Sequence, residues 1–245
     1  MSKGTRLDQL LVQRQLVESR EKAQALIRAG RVRVGEQPCT KPGHTYPDDA
    51  DIQLEAPPRY VSRGGEKLEA ALARFSVPVT GRLAVDIGAS TGGFTDCLLQ
   101  HGARHVYAVD VGKGQLHWNL RQDERVSVFE GCNARHLDQG AFDPEPQVAV
   151  VDVSFISLTK VLPALARFMA AGADVVTLIK PQFEAGREQV GKGGVVRDPE
   201  VHRQVQETVR RFGCDTLGWT WVDSCVSPIT GPAGNHEFLA HWRIP

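Results

Sequence analysis

Two charged residues each stand directly behind an apolar run of the kind that forms a buried strand. Asp152 follows Val148–Val151, and Lys180 follows the apolar run 175–179. A lysine in that position is costly unless it faces a cleft or a charged partner. Because ligands of a doubly wound sheet lie at the carboxyl ends of its strands, the sequence predicts that Asp152 and Lys180 face one functional cleft.

A glycine-rich turn marks a second candidate site. A strand over 83–87, which contains Asp86, runs into Gly88-Ala89-Ser90-Thr91-Gly92-Gly93-Phe94. The glycines let the backbone approach a ligand, and the helix that follows offers free N–H groups. The spacing is G-x-x-x-G-G instead of the dinucleotide G-x-G-x-x-G, and the Asp86 carboxylate would repel a pyrophosphate but attract a cationic sulfonium. The pattern therefore favours S-adenosylmethionine over NAD.

A carboxylate at the end of the next predicted strand completes this ligand site. Asp110 lies about 20 residues beyond the glycine turn, where an acidic side chain can accept hydrogen bonds from ribose hydroxyls. We therefore predict that the cofactor is bound by Asp86, Gly88, Ser90, Gly92, Gly93, Phe94, Asp110 and Asp152.

The elements that must position these residues alternate between helix and strand from residue 66 onward. The periodicity predicts helices over 66–75, 93–100, 158–170 and 199–212, and strands over 83–87, 105–109, 126–129, 148–151, 174–179, about 216–222 and 237–242. Continuous apolar strands joined by helices indicate a parallel sheet covered on both faces. No helix separates the last two strands, which predicts a hairpin. Trp219 and Trp221 in that region are expected to pack in the core.

The charge of the chain is unevenly distributed although the formal net charge is zero. Residues 1–35 contain eight basic side chains, Lys3 among them, against three acidic ones, a local net of +5, whereas residues 36–56 have a net of −4. A concentrated positive surface of this kind suits a phosphate backbone.

Short elements are predicted in this basic N-terminal segment. Thr5 and Asp8 have the spacing of a capping box at the start of a first helix. Ser19 is the predicted N-cap of a second helix, and Gly30 its left-handed C-terminal residue. Short strands are expected at 31–34 and 52–54. The segment is thus predicted to be a small α+β unit.

The run Ser19-Arg20-Glu21-Lys22-Ala23-Gln24-Ala25-Leu26-Ile27-Arg28-Ala29-Gly30-Arg31-Val32-Arg33-Val34 resembles the alpha-L RNA-binding motif, the module named after ribosomal small-subunit protein four. The resemblance covers roughly residues 5–55. It implies binding to structured RNA through shape and phosphates instead of base reading. The residues expected to contact RNA are Arg6, Arg20, Lys22, Arg28, Arg31 and Arg33.

A proline pair and a glycine pair place the domain boundary. Pro57-Pro58 stiffens the chain, and Gly64-Gly65 frees it. We predict an RNA-binding domain over 1–58 and a catalytic domain over 59–245, with an interdomain linker over 59–65.

Three motifs resemble the TlyA family: 86–95 (DIGASTGGFT), 151–158 (VDVSFISL) and 178–184 (LIKPQFE). Members join the alpha-L motif to a methyltransferase domain like that of the FtsJ rRNA methyltransferases. The resemblance implies a Rossmann-like, seven-stranded α/β fold and S-adenosylmethionine-dependent 2′-O-methylation of cytidine in small-subunit and sometimes large-subunit rRNA. It also implies a catalytic tetrad of Lys67, Asp152, Lys180 and Glu237, and it places Asn133 where relatives have an aspartate near the adenine.

The chemistry of a ribose 2′-hydroxyl explains the need for such a tetrad. The hydroxyl is a weak acid, so a base must take its proton as the oxygen attacks the sulfonium methyl group. Lys180 is the candidate base. Burial and a neighbouring Lys67 would lower its pKa, whereas Asp152 and Glu237 would raise it. Equally, Lys180 could orient the hydroxyl while positioning supplies most of the rate.

Other function classes are weighed against this one. The alternatives are an inactive methyltransferase fold that only binds RNA, a cytolysin (because relatives carry haemolysin names) and a pseudouridine synthase.

The composition of the chain is that of an ordinary globular protein, with hydrophobic residues at 41% and charged residues at 24%. We find no apolar run of transmembrane length and no signal peptide. Five scattered cysteines without C-x-x-C and histidines without ligand spacing predict no metal and a cytoplasmic location. Oligomeric state stays open.

One glycine-rich segment beside Lys180 allows two interpretations. Residues 184–194 are either a loop that closes over the RNA or a disordered loop.

Overall fold

The computed structural model describes residues 4–56 and 58–245, so Lys3 of the basic count and Pro57 of the predicted boundary lie outside the described residues. The chain divides into two compact units, Met1–Arg59 and Tyr60–Pro245. Among the described residues, no helix has the length and apolar character needed to cross a membrane.

The N-terminal unit combines two helices with short strands. Its elements are β1 (Thr5–Arg6), α1 (Leu7–Gln13), α2 (Arg20–Arg28), β2 (Val32–Val34), β3 (Gln37–Cys39), β4 (Thr45–Tyr46) and β5 (Ile52–Leu54). Strand β2 lies between β3 and β5 in one antiparallel sheet, and β1 pairs with β4. The buried core of this unit is formed by Leu7, Leu11, Val17, Ala23, Ile27, Val32 and Cys39.

The predicted capping box at the start of α1 is wrong. Thr5 belongs to β1, and Arg6 is the N-cap without a side-chain cap hydrogen bond. The Asp8 carboxylate instead accepts hydrogen bonds from Arg6 and Arg20, because two guanidinium groups are stronger partners than a backbone N–H. At the second helix, Ser19 accepts from the backbone N–H of Lys22 as predicted.

The C-terminal unit alternates helices and strands. Its elements are α3 (Gly64–Phe75), β6 (Leu83–Ile87), α4 (Gly93–Gln100), β7 (His105–Asp110), α5 (Trp118–Arg121), β8 (Val126–Glu130), β9 (Val148–Val151), α6 (Leu162–Phe168), β10 (Asp174–Ile179), α7 (Pro181–Glu184), α8 (Pro199–Arg211), β11 (Thr220–Val226) and β12 (Phe238–Arg243).

A seven-stranded, mostly parallel sheet forms the centre of this unit, as predicted. The strand order is β11-β12-β10-β9-β6-β7-β8, and β12 pairs antiparallel with both β10 and β11, so the predicted final hairpin is confirmed. Val85 and Ile87 of β6 pack in one apolar cluster, and Ala84 packs in another. Successive strand residues face opposite sides, so both faces of the sheet are covered.

Two predicted elements differ from the structure by more than two residues at one end or both. The helix expected over 158–170 is a 3-10 turn, Leu158–Lys160, followed by α6, with Pro163 in the first turn of α6 where its missing N–H costs nothing. The strand expected over 216–222 begins only at Thr220, because a π-turn at Phe212–Thr216 follows α8.

The predicted core role of the two late tryptophans is confirmed. The rings of Trp219 and Trp221 both meet Trp242 of β12 edge-on, with centroids 6.3 and 4.5 Å away. Trp219 itself lies just before β11 and is buried.

Residues assigned above to an interdomain linker pack in the C-terminal unit. Gly64 and Gly65 form the first turn of α3. A Cβ atom on Gly65 would lie 2.2 Å from the Tyr60 ring, so the glycine is required by a close contact and not by flexibility. The backbone N–H of Val61 donates to the Asp96 carboxylate at 2.8 Å.

Candidate active site

Strand register brings four chain segments to one edge of the sheet. In the antiparallel pair β10–β12, Ile179 lies opposite Phe238, so Lys180 and Glu237 flank the same register position. The parallel pairs align Val151 of β9 with Ile87 of β6 and with Thr177 of β10. Gly88, Asp152, Lys180 and Glu237 therefore all lie at the carboxyl edge of the parallel strands, where such sheets bind ligands.

Lys180 and Asp152 form an ion pair at this edge. The Lys180 ammonium lies 2.5 Å from Oδ1 of Asp152 and donates to the Ser154 hydroxyl at 3.0 Å. It also lies 5.9 Å from the centroid of the Phe183 ring. The side chains of Lys180 and Asp152 are 11% and 23% exposed, so the pair is largely shielded yet reachable from the cleft.

A second and more deeply buried ion pair joins Lys67 of α3 to Glu237. Nζ of Lys67 lies 2.6 Å from Oε2 of Glu237, and the side chains are 10% and 1% exposed. Gly231 leaves room for this carboxylate, because a Cβ atom there would lie 2.5 Å from Oε1 of Glu237. Lys67 and Asp152 line the same cavity, of about 220 Å³. The structure thus brings the four predicted tetrad residues together as two ion pairs.

A larger cavity, of about 500 Å³, adjoins the smaller one. Both cavities are lined by Gly88, Ser90 and Asp152. The larger cavity also contacts the predicted Asp110 and Asn133, together with apolar side chains that include Val109, Val153 and Ile156. Gly93 and Phe94 line the smaller cavity. Most of the predicted cofactor-binding residues therefore surround one continuous cleft.

Asp110 and Asn133 are held in place by backbone N–H groups. The Asp110 carboxylate accepts from Ser90 N–H at 2.8 Å and from Gly112 N–H at 2.6 Å. The Asn133 side chain accepts from Arg135 N–H at 3.1 Å. A carboxylate has about four acceptor positions, so Asp110 keeps acceptor capacity for hydroxyl groups of a ligand.

Two glycines of the turn are required for different reasons. Gly88 has φ +87°, and a Cβ atom there would lie 2.3 Å from the carbonyl oxygen of Asp152. The glycine thus lets β6 and β9 end side by side. Gly92 has φ +98°, and a Cβ atom there would lie 2.3 Å from Leu120 of α5. Gly92 therefore serves helix packing, a different placement from the ligand contact predicted for it.

Asp86 lies beneath the cleft and is completely buried. Its Oδ2 accepts from the Thr95 hydroxyl at 2.7 Å, whereas Oδ1 has no hydrogen-bond partner among the described residues. Burial raises the pKa of Asp86 to about 7, the neighbouring carboxylates of Asp152 and Asp110 add to the rise, and the bond from Thr95 opposes it. An orphaned acceptor below the glycine turn is the electrostatic feature that a cationic ligand would complement.

The buried Asp86 predicts a stability that falls as pH rises. An acid whose pKa is raised in the folded state binds its proton more tightly in the folded chain. Its contribution to the free energy of unfolding is therefore complete below the pKa of the unfolded state, and it is lost as the pH rises to the pKa of the folded state. Asn cannot ionise, so we expect the free energy of unfolding of Asp86→Asn to rise relative to that of wild type by up to about 4 kcal/mol as the pH increases from about 4 to about 8. Urea denaturation at a series of pH values measures the difference; parallel curves for the two proteins would contradict it.

Several residues at the site escaped the sequence prediction. Phe155 has φ +63°, is 92% exposed at the rim of the larger cavity, and its ring lies 5.0 Å from that of Phe183. Glu184 accepts from the Ser157 hydroxyl at 2.6 Å and from Leu158 N–H at 2.7 Å. These contacts link the segment after Asp152 to the segment after Lys180. The only available signal was their position inside the motifs 151–158 and 178–184.

The glycine-rich loop near Lys180 has defined anchors. Gly191 and Val195 form an isolated bridge. The buried Asn235 accepts from Val196 N–H at 2.9 Å and donates to the Gly194 carbonyl at 2.9 Å. Asn235 stands two residues before Glu237, so this loop and the loop that ends at Glu237 are tied together. The anchoring argues against the disordered alternative.

The six residues predicted to contact RNA all lie in the N-terminal unit and have exposed or half-exposed side chains. Arg6 and Arg20 bind Asp8, and Lys22 pairs with Glu18 at 3.0 Å. Arg31 donates to the Ala56 carbonyl. Arg33 pairs with Glu55 and donates to the Glu36 carbonyl. Arg28 lies at the C-terminal end of α2.

Comparisons with known proteins agree with this two-unit arrangement. Residues 60–244 match the FtsJ-like methyltransferases, and residues 5–52 match the S4 domain. The chain is 51% identical over 246 residues to a candidate rRNA methyltransferase, YqxC of Bacillus subtilis, covering 100% of this chain and 87% of YqxC. It is 47% identical over 246 residues to the 16S/23S rRNA (cytidine-2′-O)-methyltransferase TlyA of Mycobacterium tuberculosis, covering 99% and 91%. A solved structure of a candidate hemolysin from Streptococcus thermophilus is 47% identical, with a TM-score of 0.76 and coverage of 100% of this chain and 90% of that one.

Proposed function

The chain belongs to the FtsJ-like methyltransferase family and carries an N-terminal S4 domain, and we propose that it transfers a methyl group from S-adenosylmethionine to the 2′-hydroxyl of a cytidine in ribosomal RNA. The relative from Mycobacterium tuberculosis is named for this reaction on 16S and 23S rRNA. One structural observation supports the proposal above all: the Lys180–Asp152 ion pair lies at the edge of a cleft that begins at the glycine turn.

The cleft has the donors and acceptors that S-adenosylmethionine needs. The Asp152 carboxylate, which lines both cavities, makes the cleft favourable for a cation, and the buried Asp86 beneath the glycine turn adds to this attraction when it is ionised. Asp110 has acceptor capacity for ribose hydroxyls, and Asn133 with the neighbouring apolar walls suits a purine base. When bound, the cofactor supplies an electrophilic methyl group on a sulfonium. We propose that these side chains, with the backbone of Gly88 and Ser90, hold it.

Lys180 is the residue that meets the target hydroxyl in this proposal. An ammonium group has three hydrogen-bonding positions, and Asp152 and Ser154 occupy two of them. The third position is left for the ribose 2′-oxygen. As an ammonium, Nζ donates to that oxygen and holds it in line; Nζ takes the hydroxyl proton only as a neutral amine, after its own proton has passed to Asp152 or to solvent. Asp152 and Ser154 orient Nζ, and the Lys67–Glu237 pair fixes Lys67 in the lining of the same cleft, so the hydroxyl is held in one geometry.

The proposal is tested by following labelled methyl groups from S-adenosylmethionine. The acceptors are separated small and large ribosomal subunits and naked rRNA, all from cells that lack the modification. Label in RNA, located at the 2′-oxygen of a cytidine by nuclease mapping, would support the proposed function. No label on any acceptor, together with measured cofactor binding, would overturn it in favour of an RNA-binding protein with an inactive methyltransferase fold.

The exposed ring of Phe155 predicts a contact with the target base. A planar side chain beside the Lys180–Asp152 pair can stack on a base that has left its helix, and such stacking contributes about 1–3 kcal/mol per base. We expect Phe155→Ala to raise KM for the RNA about tenfold and to change cofactor affinity much less, because the ring is 92% exposed at the rim of the cavity. Steady-state kinetics measures both. Phe155→Tyr keeps the ring and should behave as wild type; a KM that is equal in all three proteins would contradict the contact.

A further inference from the structure

Asp8, in the first turn of α1, is a fully buried carboxylate held by four side-chain hydrogen bonds. Arg6 donates to both carboxylate oxygens at 3.0 Å, and Arg20 and Gln24 each donate to Oδ2 at 2.9 Å. The hydrogen bond from Arg6 holds the pKa of Asp8 far below its usual range, although burial acts in the opposite direction. Asp8 is therefore an anion enclosed by two cations and an amide.

The two arginines that cover Asp8 are themselves open to solvent. Their side chains are 42% exposed for Arg6 and 51% exposed for Arg20. Arg20 uses Nε toward Asp8, and Arg6 uses Nε and Nη2. Among the hydrogen bonds found in residues 4–56, none engages Nη1 of Arg6 or the terminal nitrogens of Arg20. The cluster thus has a net positive charge and N–H groups for an acceptor from outside.

The position of Arg20 on α2 extends this charged surface. Residues four apart on a helix lie on one face, so Arg20, Gln24 and Arg28 form a stripe along α2. Gln24, in the middle of the stripe, donates to Asp8 and so joins the helix to the buried carboxylate. Arg6 reaches the same carboxylate from β1. Residues from two separate elements are therefore fixed side by side.

We propose that Asp8 is the positioning residue of a phosphate-binding site formed by Arg6 and Arg20, and that the ligand is a backbone phosphate of structured RNA. The inference rests on the proposed function, which makes ribosomal RNA the substrate. Guanidinium groups match phosphate oxygens with two parallel N–H bonds. A free arginine loses much side-chain freedom when it binds, whereas these two are already ordered by Asp8, so little freedom remains to be lost.

The direction in which Asp8→Asn changes the affinity for RNA distinguishes a positioning role of Asp8 from a purely electrostatic effect of its charge. Asp8→Asn removes a negative charge from a basic surface, so simple electrostatics predicts tighter RNA binding. Positioning predicts the reverse, and we expect binding of the full-length chain to transcribed 16S and 23S rRNA to weaken about tenfold. Asp49→Asn is the matched control, because Asp49 is an exposed acid of the same unit. We expect its affinity to equal or slightly exceed that of wild type.

A charge-conserving variant keeps the inference testable if Asp8→Asn does not fold. Arg20→Lys retains the charge, but a lysine cannot donate to Asp8 with one nitrogen and to a phosphate with two others at the same time. We therefore expect the affinity for rRNA to fall several-fold. Where Asp8→Asn folds by circular dichroism, Arg20→Lys should have little additional effect in that background, because the arginine is no longer positioned. A purely structural role for Asp8 would leave the effect of Arg20→Lys the same in both backgrounds.

The outcomes distinguish this inference from the proposed function. Equal tightening by Asp8→Asn and Asp49→Asn, or unchanged affinity of Arg20→Lys, would overturn the phosphate site while wild-type binding to rRNA stands. A wild-type chain that binds neither rRNA would overturn the RNA substrate and this inference together.

Discussion

Lys180→Ala is expected to fold, to bind S-adenosylmethionine and to lose about 10³-fold in kcat for methyl transfer. A positioned proton acceptor contributes about 10²–10⁴-fold to a rate, and Nζ of Lys180 is the group of the cleft that Asp152 and Ser154 both orient. The measurement is single-turnover transfer of labelled methyl to ribosomal subunits, with cofactor binding followed separately by calorimetry.

Two companion variants sharpen the Lys180 prediction. Lys160→Ala removes the same charge from an exposed lysine of the same unit and should transfer at the wild-type rate. Lys180→Arg stays charged because a guanidinium is not deprotonated in proteins, so it can orient a hydroxyl but cannot accept its proton. Recovery of activity in Lys180→Arg would favour orientation over base catalysis. A folded Lys180→Ala enzyme with near wild-type kcat would remove Lys180 from the mechanism.

Glu237→Leu is expected to cost about 3–5 kcal/mol of folding free energy and to abolish transfer. The Lys67–Glu237 pair is almost fully buried at 2.6 Å, and removal of one partner leaves an uncompensated charge in the interior. The same change removes the ion-pair partner of Lys67, which lines the smaller cavity of the cleft. Urea denaturation measures the stability, and the methyl-transfer assay measures the activity.

A double replacement separates stability from function at this pair. Lys67→Met combined with Glu237→Leu removes both buried charges, and apolar replacement of a buried ion pair is often neutral or stabilising. We expect the double variant to regain most of the stability lost by Glu237→Leu and to remain inactive. A double variant that is stable and active would show that the pair only supports the fold. One that is as unstable as Glu237→Leu would contradict the electrostatic explanation of the loss.

Much of the C-terminal unit follows from local sequence pattern. Largely apolar runs define β6, β9 and β10 with the predicted bounds, because a strand buried on both faces is apolar at most of its positions. A polar residue directly after such a run must then lie at the sheet edge, which is why Asp152 and Lys180 could be placed in one cleft. The glycine turn was recognisable for a similar reason, since close backbone approach excludes larger residues.

Local pattern failed where a distant residue competed for the same group. Asp8 has capping-box spacing, yet Arg20, twelve residues away, and Arg6 take its carboxylate. Gly64 and Gly65 resemble a flexible linker, but the Tyr60 ring packs against Gly65 and the helix begins there. Hydrogen bonds to charged groups and burial of an aromatic ring outweigh local preferences.

The sequence by itself determined the order of the elements, the glycine turn, the uneven charge and the placement of Asp152 and Lys180 directly behind apolar strands, whereas Lys67 and Glu237 were predicted from the family resemblance. Only the tertiary structure decided that Lys180 pairs with Asp152 and that Lys67 pairs with Glu237, 170 residues away in the chain. It also decided that one oxygen of Asp86 has no hydrogen-bond partner within the described part of the chain and that Phe155 is exposed at the cleft. The physical reason is that strand ends are set by local apolar runs, whereas ion pairing, burial and pKa depend on which segments the sheet register brings together.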